Sequence, residues 1–220
     1  MIPLRDVIPS RTTPYITVTI IILNALAWFL ELSLPPDVLP VFLQVYGVVP
    51  ANFHTATLVS SMFLHGSWMH VIGNMWYLWI FGDNVEDRVG HGRFIIFYLL
   101  CGMAAAFGQI FINPTSTLPT IGASGAIAGV MGAYFVLYPR SRVLTLIPLI
   151  IFWEIVELPA IFLLGFWFLM QLFSAGAIAV TSSTGGGGGV AFAAHVAGFL
   201  VGVGGVFVFK KPQQPDQWWA

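Results

Sequence analysis

Between residues 15 and 209 the chain is almost continuously apolar, and short polar breaks divide it into six runs of roughly bilayer-spanning length. The runs cover about 15–34, 58–81, 94–112, 124–138, 158–180 and 190–209, the fourth being short. Each reads as a membrane helix. With 58% hydrophobic and 8% charged residues, there is too little charge to clothe a soluble domain of 220 residues. The expected fold is therefore an all-α polytopic membrane protein with six transmembrane helices. A cytoplasmic segment over 1–14 precedes a membrane domain over 15–209, and a cytoplasmic tail follows over 210–220. The apolar stretch 143–157 holds Pro148, Glu154 and Glu157, and reads as an interfacial or loop segment leading into the fifth run rather than a seventh span. The N-terminus lacks the compact apolar core and small-residue cleavage site of a signal peptide. With one cysteine, Cys101, no intramolecular disulfide forms.

The basic residues orient the chain. All eight Lys and Arg fall in four places: Arg5 and Arg11, Arg88 and Arg93, Arg140 and Arg142, and Lys210 and Lys211. The alternate connections, near 35–57, 113–121 and 181–189, contain none. With six spans these four places share one side, so the positive-inside rule puts both termini in the cytoplasm.

That orientation allows depths to be compared. At the helical rise, Ser124 lies about 21 Å above Tyr138, His195 about 22 Å above Lys210, and His70 about 20 Å above Asp83. In a hydrocarbon core of about 30 Å, all three share one level, roughly 10 Å below the outer face. Helix contacts bring two of them together. Gly125, Gly129 and Gly132 recur at i, i+4, i+7 on the fourth run, as do Gly198, Gly202 and Gly205 on the sixth. Small residues at this spacing let helix backbones approach closely in lipid. If those faces pack together, Ser124 and His195 meet, each lying just before the first glycine of its face.

Residue types then suggest chemistry. A serine hydroxyl is a weak nucleophile that needs a base within hydrogen-bond reach, and His195 can take its proton and return it to a leaving amine. The only acids counted inside the apolar region, Glu154 and Glu157, lie near the cytoplasmic side, and a buried carboxylate at mid-membrane is costly. A Ser–His pair without a third, acidic member is the economical arrangement. Acyl transfer also needs donors for an oxyanion. Ser124 opens a helix, so its backbone N–H has no intrahelical acceptor and meets the positive end of the helix dipole. His70 and Asn74 stand at i, i+4 on one face and aim at one point. His65, about 140° away on an ideal helix, is expected to have a structural or capping role. His65 and His70 lack a nearby carboxylate or thiolate, so no metal site is expected. No cofactor is signalled either, and nothing in a chain of net charge −1 points to nucleic acid.

The segments FLHGSWMHVIGNMWYLWIFGDNVED, GASGAIAGVMGAY and AAHVAGFLVG resemble, in that order, the signature segments of the rhomboid family of intramembrane serine proteases. The His-x4-His-x3-Asn, Gly-x-Ser-Gly and Ala-His-x2-Gly motifs are each weak alone, but their ordered combination over the second to sixth runs is specific. The resemblance implies Ser124 as nucleophile and His195 as general base, with His70, Asn74 and the Ser124 amide as the oxyanion hole. It implies substrates that are single-pass membrane proteins, cleaved in or near the transmembrane segment with small residues favoured at the cut, and no cofactor. Two positions depart from the pattern. The first outer loop lacks the Trp-Arg pair of many members, and Ala128 stands where many carry an aromatic that stacks on the catalytic histidine.

A site this deep needs a polar cavity open to water, and the depths place its mouth on the extracellular or periplasmic side. The plasma (inner) membrane is the expected location. The glycine run at 181–190 reads first as a flexible linker, and alternatively as a hinge that lets the fifth span move aside. Two rival classes fit less well. A transporter often shows inverted repeats and charged residues inside the bundle, neither of which is evident. A catalytically silent binding module or chaperone is expected to lack Ser124 or His195, and both are present.

Overall fold

The computed structural model describes residues 1–148, 153–181 and 191–212, with 177–181 as backbone only. Eight α-helices lie among these residues: α1 (Tyr15–Ser33), α2 (Leu39–Tyr46), α3 (Thr57–Ser60), α4 (Trp68–Val89), α5 (His91–Ile112), α6 (Ser124–Leu137), α7 (Ala160–Thr181) and α8 (Phe192–Phe209). By length and composition, α1, α5 and α8 are each long and apolar enough to cross a membrane. The glycine run at 182–190, read as linker or hinge, lies outside the described residues.

α6 is the axis of the bundle. Every residue from Gly125 to Tyr134 is buried, because α4, α5, α7 and α8 all pack against it. Its glycines and alanines permit this, since a bulkier sequence holds neighbouring helices 8–10 Å away. The approach to α8 is closest. A Cβ on Gly202 would stand 1.9 Å from the Gly129 carbonyl oxygen, and one on Gly198 would stand 2.1 Å from that of Gly125. In the other direction, a Cβ on Gly132 would meet the Phe199 carbonyl oxygen at 2.2 Å. The two glycine faces therefore pack on each other, as their spacing predicts.

The second apolar run does not start its helix at residue 58. Residues 57–63 form only the one-turn α3 and a following 3-10 turn, and α4 begins at Trp68, where the extended Ser67 caps it by accepting the His70 N–H at 3.2 Å. The helix then continues past Phe81 to Val89 and stops at Gly90, whose φ of 89° suits only glycine.

The all-α expectation needs a correction. The described residues of stretch 143–157 are strands rather than a loop or a span: β2 (Arg142–Pro148) and β3 (Trp153–Pro159) pair antiparallel, and the N-terminal β1 (Ile2–Asp6) pairs antiparallel with β2. The strand logic is period two, with Val143 and Thr145 on one face fully buried. β1 is held along α4 and α6. The Trp76 indole N–H donates to the Pro3 carbonyl at 2.7 Å, and the Tyr134 hydroxyl donates to the Asp6 carboxylate at 2.7 Å. Burial pushes the Asp6 carboxyl up to about 6, against the opposing effect of the Tyr134 hydrogen bond.

Acids also lie inside the bundle, contrary to the sequence reading. Glu86 is fully buried and caps α1, accepting the Ile16 N–H at 3.0 Å, the Thr17 N–H at 2.8 Å and the Thr17 hydroxyl at 2.7 Å. Glu31, only 2% exposed, accepts the His65 backbone N–H on both carboxylate oxygens, at 3.1 and 3.2 Å. Each carboxylate is offset by donors that the chain itself presents.

The loop after α1, expected to be the first outer loop, is secured without a Trp-Arg pair. Val48 and Thr120 form a two-way backbone bridge, at 3.0 Å from the Val48 N–H and 2.8 Å from the Thr120 N–H. The Ala51 N–H reaches the Ser116 carbonyl at 3.0 Å, and the Gln44 side-chain amide reaches that of Thr117 at 3.2 Å. This clamp fixes the segment that leads into Ser124.

Candidate active site

Ser124 is the first residue of α6, so its backbone N–H lies in the first turn without an intrahelical acceptor. The chain reaches it through Gly122, whose φ is +120° and whose N–H donates to the Ser61 carbonyl at 2.8 Å. A side chain at Gly122 would be strained, and it would also collide with the site: a Cβ there lies 2.7 Å from both Cε1 and Nε2 of His70. Its distance to the Asn74 amide nitrogen would be 3.7 Å. His70 and Asn74, one turn apart on α4, therefore sit over the loop two residues before Ser124.

His195, on the first turn of α8 and 8% exposed, faces Ser124 across the close helix contact, with Nε2 2.7 Å from Oγ. That distance is a hydrogen bond of ordinary length, and it comes directly from the interlocked glycine faces. All four side chains singled out in the sequence, Ser124, His195, His70 and Asn74, thus gather around one loop and two helix starts.

The structure adds residues that the sequence reading missed. On the far side of the imidazole, Gln171 of α7 places Oε1 2.7 Å from His195 Nδ1. One turn earlier on α7, the Trp167 ring packs against His195 with centroids 5.9 Å apart and planes inclined at 36°. Ala128, fully buried in α6, leaves His195 to be held from α7 instead. The signal for Gln171 was available: at the helical rise it stands about 20 Å above Leu158, level with Ser124 and His195.

His65 is also placed differently from its helical-wheel position. It precedes α4, so the 140° separation does not apply. It turns back on the site, with Nε2 2.9 Å from the Asn74 amide nitrogen and its ring 4.9 Å from that of His70, edge to face. Ser67, not His65, is the cap of α4. Through the backbone N–H of His65, Glu31 supports this group from α1. A carboxylate does therefore approach this part of the chain, though it is engaged by backbone donors.

A hydroxyl beside an imidazole, a free amide at a helix start and polar groups over the adjoining loop can together activate a nucleophile and bind an oxyanion. Comparisons with known proteins bear on the family of the chain. The family model of the rhomboid domain matches residues 52–212. The chain is 28% identical over 201 residues to the chloroplastic Rhomboid-like protein 11 of Arabidopsis thaliana, covering 86% of this chain and 66% of that protein. It is 29% identical over 127 residues to the putative rhomboid protease YdcA of Bacillus subtilis, covering 56% of this chain and 62% of that protein. To the mitochondrial Rhomboid protein 1 of Saccharomyces cerevisiae it is 29% identical over 109 residues, which is 47% of this chain and 32% of that protein. The matches thus span from about a third to about two thirds of these relatives. With the family model covering well over half of its length, this integral membrane protein belongs to the rhomboid family.

Proposed function

We propose that the chain is an intramembrane serine endopeptidase that cleaves single-pass transmembrane proteins in or near their membrane segment. The observation that carries this reading is the 2.7 Å contact between Ser124 Oγ and His195 Nε2. In this mechanism His195 takes the hydroxyl proton as Oγ bonds to the scissile carbonyl carbon. The carbonyl oxygen becomes an oxyanion, met by the Ser124 N–H, His70 and Asn74. Collapse breaks the C–N bond, His195 returns its proton to the leaving amine, and water hydrolyses the acyl-enzyme with His195 again as base. No cofactor takes part.

The same reading assigns six spans to α1, α4, α5, α6, α7 and α8, with both termini cytoplasmic and the site opening to the extracellular or periplasmic side. The asymmetry of the basic residues supports that orientation. The plasma (inner) membrane is the proposed location, although relatives include mitochondrial and chloroplastic proteins.

A fluorophosphonate, which phosphonylates activated serines with loss of fluoride, tests the nucleophile directly. Intact-mass and peptide mapping are expected to place one adduct on Ser124, with labelling strongly slowed in His195→Ala. An adduct on another serine would assign a different nucleophile, and no adduct at all would favour a catalytically silent binding module.

A further inference from the structure

We propose that Gln171 is the positioning residue of His195, holding the imidazole in the tautomer that can accept the Ser124 proton. The inference rests on the protease reading for its consequence, but its geometry stands apart from it.

A neutral imidazole carries one N–H, on Nδ1 or Nε2, and only the unprotonated nitrogen can act as base. If the proton sat on Nε2, His195 would donate to the Ser124 oxygen and could not take its hydrogen. The Gln171 side-chain oxygen has no hydrogen and lies 2.7 Å from Nδ1, so it pairs only with an Nδ1–H. That leaves the Nε2 lone pair directed at the Ser124 hydroxyl, 2.7 Å away. At 8% exposure His195 has little water to substitute for either partner, so a misplaced proton leaves a buried group unpaired.

Among the described residues, no other group around the ring is placed as an acceptor at Nδ1. Trp167 and Phe192 present aromatic surface, with centroids 5.9 and 6.5 Å from that of His195. Among the described residues, the titratable neighbour of the ring is His70 of α4. A neutral amide suits this depth better than the carboxylate of a soluble Ser–His–Asp site, because it accepts the same hydrogen without bringing a charge into the bilayer. Trp167 and Gln171 stand at i, i+4 on one face of α7, so a single helix supplies both the packing on the ring and the acceptor at Nδ1. The orientation of the base is thereby tied to the seating of α7.

The test compares Gln171→Met, which keeps the volume and loses the acceptor, with Gln171→Glu, which keeps an acceptor oxygen. The full chain is assayed in proteoliposomes with a fluorogenic peptide carrying one apolar transmembrane segment. The methionine variant is expected to lose about ten- to a hundredfold in kcat with KM within about twofold of wild type. The glutamate variant is expected to recover most of that loss. In parallel, nitrogen-15 spectra of histidine-labelled protein, assigned with His195→Ala, report the tautomer without any turnover. Wild type is expected to carry the proton on Nδ1, and Gln171→Met to shift it toward Nε2. Unchanged kcat and an unchanged tautomer in Gln171→Met would overturn the inference. If Ser124→Ala cleaves as well as wild type, the protease reading fails instead, and the tautomer measurement still decides the role of Gln171.

Discussion

The Gly129 carbonyl oxygen of α6 lies 1.9 Å from the point where Gly202 of α8 would carry a Cβ. No side chain fits there, and the atoms in the way are backbone. The contact therefore fixes the distance between the helices that carry Ser124 and His195, one to two turns along each helix from those residues. Helix packing and the Ser124–His195 distance are set by the same surface.

Gly202→Ala should accordingly be far from neutral. The added methyl group must push the two helices apart, at a cost of about 1–3 kcal/mol or more, and activity should fall because His195 retreats from Ser124. Gly204, on the same helix with nothing within 4 Å of its Cβ position, is the control. Gly204→Ala should be neutral or stabilising by up to about 1 kcal/mol. Thermal unfolding in detergent, read beside the cleavage rate of each variant, checks both.

Glu31 gives a second prediction, remote from the chemistry. Its carboxylate receives the His65 N–H, and His65 in turn lies against the Asn74 amide. Glu31→Leu strands a buried N–H at about 1–3 kcal/mol and releases His65. The variant should lose oxyanion stabilisation, seen as a lower kcat with little change in KM. Glu31→Gln, which keeps an acceptor oxygen, should lose less. Equal activity in Glu31→Leu and wild type would mean that His65 does not position Asn74.

Asp6 predicts a pH dependence on the sheet side of the bundle. Its carboxyl is raised to about 6 by burial, above the ordinary value of 3.8, so the folded chain binds this proton more tightly than the unfolded one. Its contribution to stability is therefore fullest below about pH 4 and is lost as pH rises through about 6. Asp6→Asn should flatten the stability profile across that window, measured by unfolding between pH 4 and 7. A slope identical to wild type would assign the pH dependence to other groups, with Asp83, its electrostatic neighbour, the first to test.

Much of the candidate site was legible because helical rise converts sequence spacing into depth. Ser124, His195 and His70 fall on one level by that arithmetic, and the i, i+4, i+7 glycines indicate which helices approach. Gln171 obeys the same arithmetic, but a lone glutamine in the fifth apolar run carries no motif to draw attention to it. Glu31 was hidden for a different reason. A carboxylate in an apolar run reads as a cost until its donor is known, and that donor is a backbone N–H 34 residues away. The sheet was least legible. Strand β1 is more than a hundred residues from its partner β2, and apolar composition in 143–157 masked the period-two pattern of Val143 and Thr145. His65 shows the limit of helical-wheel reasoning, because the wheel assumes a helix that begins only at Trp68.

Ser124 and His195 are proposed to act together as nucleophile and base. The most direct test is cleavage of a fluorogenic transmembrane peptide in proteoliposomes by wild type, Ser124→Ala and His195→Ala. Wild type is expected to cleave the peptide within or beside its apolar segment, and both variants to reduce turnover to background. Turnover that survives in Ser124→Ala at the wild-type rate would contradict the proposal.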